Sequence, residues 1–320
     1  MFGYALRRIL ITLPVLWAAL TLTFVLVRAA PGDPVEIMFG PQADGGAALE
    51  AVTKEQKDAR RRELGIDRPL PEQYVSWLRR IVRGDLGTSF KSRRPVATEL
   101  QQRLPATAAL AGAAFAAELV LVVGLGVWAA AQAGRLADHG IRILALVLIA
   151  VPSFWLGLVL LWLFAVQLQW VTVAGPATPQ RLILPALTLG LVAAPTIMRV
   201  LRASLLAELG KLHVVFARSK GLPERLVLWR HALRLAMLPM VTMLGLSLTG
   251  LLTGAVIAET VFSWPGVGKY VTDSIAARDY PVVQGYVLFT TLVMVLGNLA
   301  VDLLYGVVDP RVRLGAGESA

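Results

Sequence analysis

Six apolar runs, each long enough to cross a bilayer as a helix, constrain this chain more than any other feature. They are Ile9–Val27, Leu104–Gly134, Ile143 to about Val166, Leu182–Met198, Leu235–Ala258 and Tyr280–Val301, and Glu118 is the only charge well inside one of them. About 20 helical residues span the roughly 30 Å of bilayer hydrocarbon. Backbone amides cannot be left unpaired there, so a helix is the form such a run takes. Apolar residues make up 56% of the 320 and charged residues 16%, against about 45–50% and 25% in soluble domains. That surplus excludes a soluble enzyme or a disordered chain. The absence of cysteine excludes a disulfide scaffold, thiolate chemistry and cysteine metal sites. The first run exceeds the roughly 7–15 residues of a signal-peptide core, so it reads as an anchor even with Arg7-Arg8 before it.

The net charge of +10 leaves nucleic acid, anionic lipid and acidic partners open until the charges are placed. With the N-terminus inside, the inner loops and tails carry fourteen Lys and Arg residues and the short outer loops only Arg181, Lys269 and Arg278. Basic residues collect on the cytoplasmic side, so both termini are expected there. The chain then divides into 1–28 (tail and first span), 29–103 (an extracytoplasmic segment), 104–308 (a five-helix core) and 309–320 (a cytoplasmic tail).

Segment 29–103 is too long for a bare connection. Thr53-Lys-Glu-Gln56 has the form of a capping box before a helix that stops at Leu64-Gly65. Tyr74, Trp77, Leu78, Ile81 and Val82 lie on one face of a second helix ended by Gly84. This segment is either a cap on the spans or a docking surface for an external partner. The inner segment 199–234 carries eight basic residues against Glu208 and Glu224, with Leu205, Leu206, Leu209, Leu212, Val215 and Phe216 at helical spacing until Gly221 and Pro223. It suits a membrane-surface helix or a short helix offered to a cytoplasmic protein groove. No aromatics interleave the charges for base stacking, which disfavours nucleic acid.

Catalytic signatures are missing. Ser263-Trp-Pro-Gly-Val-Gly-Lys-Tyr270 comes nearest to a phosphate-binding loop, but it lacks the first glycine and puts Tyr270 in place of the magnesium-binding hydroxyl. His139, His213 and His231 have no metal-ligand spacing. Glu118 is a functional hypothesis by default as an intramembrane carboxylate; a hydrogen bond to another helix accounts for it equally. Gly250-Leu-Leu-Thr-Gly254 fits close helix packing, with a path lining as the other reading.

Ordered motifs along nearly the whole chain resemble the permeases of bacterial dipeptide, oligopeptide and nickel ABC importers. They are Arg7-Arg8, Pro31-Gly-Asp-Pro34, Leu64-Gly-Ile-Asp-Arg-Pro-Leu-Pro-Glu-Gln-Tyr74, Gly84-Asp-Leu-Gly-Thr-Ser89, Ala217-Arg-Ser-Lys-Gly-Leu222 and His231-Ala-Leu-Arg-Leu-Ala-Met-Leu-Pro239. Glu259-Thr-Val-Phe-Ser-Trp-Pro-Gly-Val-Gly-Lys269, Arg278-Asp-Tyr-Pro-Val-Val-Gln-Gly285 and Asp302-Leu-Leu-Tyr-Gly-Val-Val-Asp-Pro-Arg311 complete the series. The resemblance implies an all-α integral membrane protein of type I importer permease form, with six transmembrane helices and a helical extracytoplasmic insertion. It implies half of a solute pathway, in an inner membrane, paired with a second permease, two cytoplasmic ATPases and an external solute-binding protein. No cofactor is expected on this chain, nor catalysis; ATP and magnesium would sit on the ATPase partners.

The resemblance further implies that Ala217, Arg218, Lys220, Gly221, Leu222 and Pro223 couple to the ATPase. The chain departs from the wider pattern there: Val215-Phe-Ala217 replaces Glu-Ala-Ala, and Pro239 follows Gly221 by 18 residues, a longer interval than in other branches. The ion pair made by the missing glutamate is therefore not carried over, and Arg218 or Lys220 is left to supply a polar contact. Glu118, Gly250, Gly254 and Glu259 are candidates for the translocation path. Tyr74, Trp77, Trp264, Asp279 and Tyr280 are candidates to face the binding protein. Di- or oligopeptide is the expected solute, with nickel or another small solute as the alternative. A rival of another class is an ion-coupled carrier that uses Glu118.

Overall fold

A computed structural model of the chain describes residues 2–29, 35, 54–63, 65–172, 175 and 178–308. Pro31–Pro34, the capping residue Thr53, Leu64 and the 309–320 tail with Pro310 and Arg311 lie outside the described residues, as do the side chains of Arg7 and Arg8. Among the described residues the fold is all helix, with a lone antiparallel bridge between Thr88 and Pro95.

The chain forms two compact units, Met1–Pro105 with Gly266–Leu292, and Ala106–Pro265 with Val293–Ala320. The first contains α1 (Phe2–Ala29), α2 (Lys54–Glu63), α3 (Leu70–Val82) and α12 (Val267–Ala276). It also holds the N-terminal end of α4 (Val96–Ala131) and most of the first half of α13 (Tyr280–Val308). α3 starts where Pro69 and Pro71 pre-set the backbone for a helix, and it lays Trp77 and Tyr74 on Phe24 of α1 with ring centroids 5.4 and 5.3 Å apart. Tyr74 Oη lies 2.7 Å from Thr21 Oγ1, so the phenol is paired where it meets the apolar helix. The amphipathic face expected for α3 is real except at Val82, which is 79% exposed. Elsewhere in this unit Gly285 of α13 lies against Val96 of α4, where a Cβ would come within 2.8 Å of Val96 Cγ1.

The second unit is organised around α7 (Pro179–Leu209), which packs against α5 (Leu136–Ala150), α6 (Ser153–Leu161, continued by a wide helical turn to Gln167), α8 (Leu212–Ser219), α9 (Glu224–Ala236), α10 (Leu238–Gly254) and α11 (Val256–Val261). Small residues set the approach of its helices, as in membrane packing generally. A Cβ on Gly190 of α7 would lie 2.9 Å from Ala117 Cβ of α4, and one on Gly126 of α4 would lie 3.2 Å from Leu201 of α7.

α4, α7 and the Tyr280–Val301 part of α13 are each long and apolar enough to cross a membrane, and two bent helix pairs qualify if each is one span; Leu13–Ala29 is a shorter apolar helix. One span expected as continuous is broken at its middle, and another is entered at a bend. The third turns by 104° between α5 and α6. Pro152 forces this: it lacks an N–H, and it pushes Val151 to an extended φ −83°, ψ 127°. The run stays apolar on both sides, which is why hydropathy alone bridges it. The fifth expected run, Leu235–Ala258, is entered at a 61° turn between α9 and α10, where Pro239 occupies the first turn of α10.

Candidate functional site

Residues 199–234 do not form one amphipathic helix. Arg199 and Arg202 ride on α7, which runs on to Leu209, and Gly210-Lys211 then separates it from α8. The split sends the apolar residues to opposite fates. Leu205 is fully buried, whereas Leu212, Val215 and Phe216 are 87%, 50% and 62% exposed. α8 turns Val214 and Ala217 inward, into a cluster with Leu201, Leu205, Val227 and Leu233, and leaves its other apolar face open. Trp229 of α9 is half-exposed as well.

Gly221 ends this helix with φ +75°. Its N–H donates to the Arg218 carbonyl at 2.9 Å, and the left-handed backbone favours glycine at that position. A Cβ there would meet nothing within 4 Å, so conformation rather than crowding selects the residue. Leu222 is partly buried against the same cluster, and Pro223 follows as the N-cap of α9. Arg218 grips Glu224 with Nε–Oε2 at 3.0 Å and Nη2–Oε1 at 2.5 Å. Hydrogen bonding to Arg218 holds the Glu224 carboxyl below its ordinary range and raises the guanidinium in turn. Lys220 Nζ lies 4.5 Å from the centroid of the Phe216 ring. Both basic residues thus have partners within the loop, and the Arg218–Glu224 pair stays exposed.

Two of the path candidates are completely buried. Ser247 Oγ lies 2.8 Å from each carboxyl oxygen of Glu118, and Thr107 Oγ1 donates to Glu259 Oε1 at 2.6 Å. Both glutamates are at 0% exposure, so in this structure they brace helices and line no open passage. Gly250 and Gly254 are the reverse. They are exposed, and a Cβ added to either would meet nothing within 4 Å, so neither makes a close helix contact within this chain. That contact falls instead at Gly245 and Gly297, where a Cβ would come within 2.6 Å of Val301 and 2.5 Å of Thr249.

Three of the residues expected to face an external protein are buried: Trp77, Trp264 and Asp279 at 9%, 3% and 1% exposure. Trp264 donates Nε1–H to the Ala106 carbonyl at 2.8 Å, and its own N–H donates to the Glu259 carbonyl at 2.8 Å. The Glu259–Trp264 part of the Glu259–Lys269 motif is therefore anchored on the start of the second unit's share of α4. Asp279 accepts from Ser89 Oγ at 2.5 Å, Phe90 N at 3.0 Å and Lys91 N at 3.2 Å. Two motifs far apart in sequence, Gly84–Ser89 and Arg278–Gly285, meet in that clasp. Gly84 and Gly87 provide φ +79° and +82°, and Arg278 adopts +53° just before the carboxylate. Tyr74 and Tyr280 remain partly exposed.

Residues 122–314 match the family described as binding-protein-dependent transport system inner membrane component, and residues 1–111 match its N-terminal companion. The chain belongs to this family. The permease is 38% identical over 313 residues to the glutathione transport system permease protein GsiC of Escherichia coli K12, covering 98% of this chain and 99% of that one. It is equally 38% identical, over 344 residues, to the di/tripeptide transport system permease protein DppB of Pseudomonas aeruginosa, with the same coverage. GsiC of Pectobacterium atrosepticum matches at 38% over 313 residues, again covering 98% and 99%.

One tightly held charge in this permease has no signature in the sequence. Asp138, 1% exposed in the first turn of α5, takes Arg202 Nε and Nη2 at 2.6 Å each and the Gly134 N–H at 3.0 Å. By sequence Asp138 is one more loop charge and Arg202 one more orientation signal. Only the packing of α5 on α7 brings them together. Glu224 escapes notice for a similar reason: in the sequence it counts solely as a negative charge within a basic loop.

Proposed function

We propose that this permease forms half of the transmembrane pathway of an ATP-driven importer of di- or oligopeptides or a related small solute, and that α8 docks on a cytoplasmic ATPase. The observation that carries the docking is the exposed apolar trio Leu212, Val215 and Phe216 on a helix whose other side is locked to α7 and α9. A short helix with open anchors at i, i+3 and i+4 suits insertion into a partner's groove. An apolar face of this kind marks a surface that another molecule covers.

In this reading Ala217 holds α8 to the core, Gly221 and Leu222 fix the turn behind it, and the Arg218–Glu224 and Lys220–Phe216 pairs stiffen it. ATP and magnesium would reside on two ATPase partners, with a second, related permease completing the pathway and a solute-binding protein delivering cargo outside. Six spans with both termini cytoplasmic is the topology that agrees with the fourteen inner basic residues. A rigid-body rocking of the helices would alternate access. Peptide is favoured over nickel because relatives of this length are named for glutathione and for di/tripeptides, and because no group of three or more metal-ligating side chains occurs among the described residues.

The test is Phe216→Glu in the reconstituted complex. It should abolish ATP-driven uptake while the permease still inserts and still pairs with the second permease; undiminished uptake would refute the docking assignment. The chain purified alone should hydrolyse no ATP.

A further inference from the structure

The two readings that the basic segment 199–234 leaves open in sequence fall on two different helices. α8 offers its apolar face to a protein groove, as proposed above. α9 carries a different surface. Its inner side, Val227, Ala232, Leu233 and Ala236, is buried in the cluster that also holds Leu201 and Leu205 of α7. Its outer side mixes large apolar side chains with basic ones. Leu226, Arg230, Arg234 and Leu238, the last opening α10, recur every four residues and are all exposed; residues so spaced share a helix face. Trp229 stands next to Arg230 and is half-exposed. From Arg225 to Leu238 the chain has no acidic residue.

The join to α10 gives this surface its level. Only Met237 separates the two helices, and they meet at a 61° turn. From Leu238 to Ala258 there is no charge at all, so α10 and the residues after it suit the hydrocarbon. α9, with Arg225, Arg230, His231 and Arg234, does not. Trp229 precedes Leu238 by nine residues. That is about 13 Å of helix, of which the 61° turn leaves about 6 Å along the α10 axis. The headgroup layer is about 5–8 Å thick on each side of a bilayer. With α10 along the bilayer normal, Trp229, Arg230 and Arg234 therefore fall inside that layer.

The inner side of α9 rests on the α7 shaft, so the outer side faces sideways, toward whatever surrounds the bundle at that height. Tryptophan and arginine together mark the membrane interface, and basic residues at that level attract anionic headgroups. We propose that the outer face of α9 binds anionic phospholipid, with Arg230 and Arg234 on the headgroup phosphates and Leu226, Trp229 and Leu238 against the glycerol and first acyl carbons. The lipid would steady the helix that backs α8. The leaflet, cytoplasmic, rests on the topology proposed above; the contact itself does not depend on ATPase docking.

The chain contains no cysteine, so Leu226→Cys places a single bimane label on this face of the full-length permease. The label is read in nanodiscs of mixed phosphatidylcholine and phosphatidylglycerol, with brominated acyl chains on one lipid or the other. Brominated phosphatidylglycerol should quench it more than brominated phosphatidylcholine at equal mole fraction. Adding Arg230→Gln with Arg234→Gln should lower that preference by about fivefold or more, one arginine's share of attraction to an anionic surface. Quenching by aqueous iodide and by neither lipid would overturn the proposal, and equal quenching by the two lipids with both arginines present would overturn it too. That second reading needs no arginine variant, so a double variant that fails to insert does not shield the proposal. Assembly with the second permease and the ATPases should leave the lipid quenching unchanged; its loss would give the face to one of those proteins instead. A Phe216→Glu permease should keep the lipid preference, which separates this contact from the docking of α8.

Discussion

Arg202 closes a two-pronged hydrogen-bonded pair on Asp138, both bonds at 2.6 Å, and so ties the start of α5 to the lower part of α7. Arg202 keeps 20% of its side chain in solvent while Asp138 keeps 1%, so removing the arginine strands the more deeply buried charge. Asp138→Asn should destabilise the purified permease by about 2 kcal/mol, the scale of a hydrogen bond to a charged group. Arg202→Leu should cost more. Thermal unfolding in detergent measures both, and equal stability in all three proteins would contradict the arrangement.

The glycines of α10 and its neighbour α13 should divide into two classes. Gly245→Leu pushes a side chain into Val301 and Gly297→Val pushes one into Thr249, and overpacking of this kind costs about 1–3 kcal/mol. Gly250→Ala and Gly254→Ala meet open space and should leave the isolated chain as stable as the wild type or more so, alanine being the better helix former. A thermal-shift series across the four substitutions decides it.

Glu118→Gln should preserve ATP-driven uptake. The amide oxygen can still accept from Ser247 Oγ, so the α4–α10 link survives without the charge. An ion-coupled carrier dependent on this carboxylate would lose transport entirely, and uptake measured in liposomes separates the two outcomes.

The Arg218–Glu224 pair has a defined pH range. Because hydrogen bonding to Arg218 depresses the folded-state pKa of Glu224, the pair's contribution is present above the unfolded value of about 4.3. It is lost only as pH falls through the lower, folded value. Coupled ATPase activity should therefore show no transition from this pair near neutrality. Carboxyl-carbon NMR of Glu224 should report a pKa that moves upward in Arg218→Gln, and no movement would place the cause elsewhere. The pair is exposed, so its effect on overall stability should be small.

Hydropathy reveals the apolar spans because desolvating a charge or an unpaired amide in lipid is too costly to hide in a sequence. The α3 face is legible for a related reason: Tyr74, Trp77, Leu78 and Ile81 recur at helical spacing. Pro152 is visible too, yet an unbroken apolar run on both sides masks a 104° turn. Ser89 and Asp279 each stand in a recognised motif, but their 2.5 Å contact spans 190 residues, and nothing local announces a partner that distant. The same applies to Arg202 with Asp138 and to Ser247 with Glu118. For Gly250 and Gly254 the spacing pattern gives a shared helix face, and not whether that face finds a neighbour within the chain.

α7 is 31 residues long, about 46 Å at 1.5 Å per residue, well beyond the thickness of bilayer hydrocarbon. Pro185 and Pro195 each remove a backbone donor within it, and such positions are where helices bend. From Pro195 to Leu209 the shaft extends a further roughly 21 Å before Gly210 joins it to α8. If α8 docks as proposed, a sideways push on it would reach α7 through Gly210 and Lys211, with no longer loop between to absorb it.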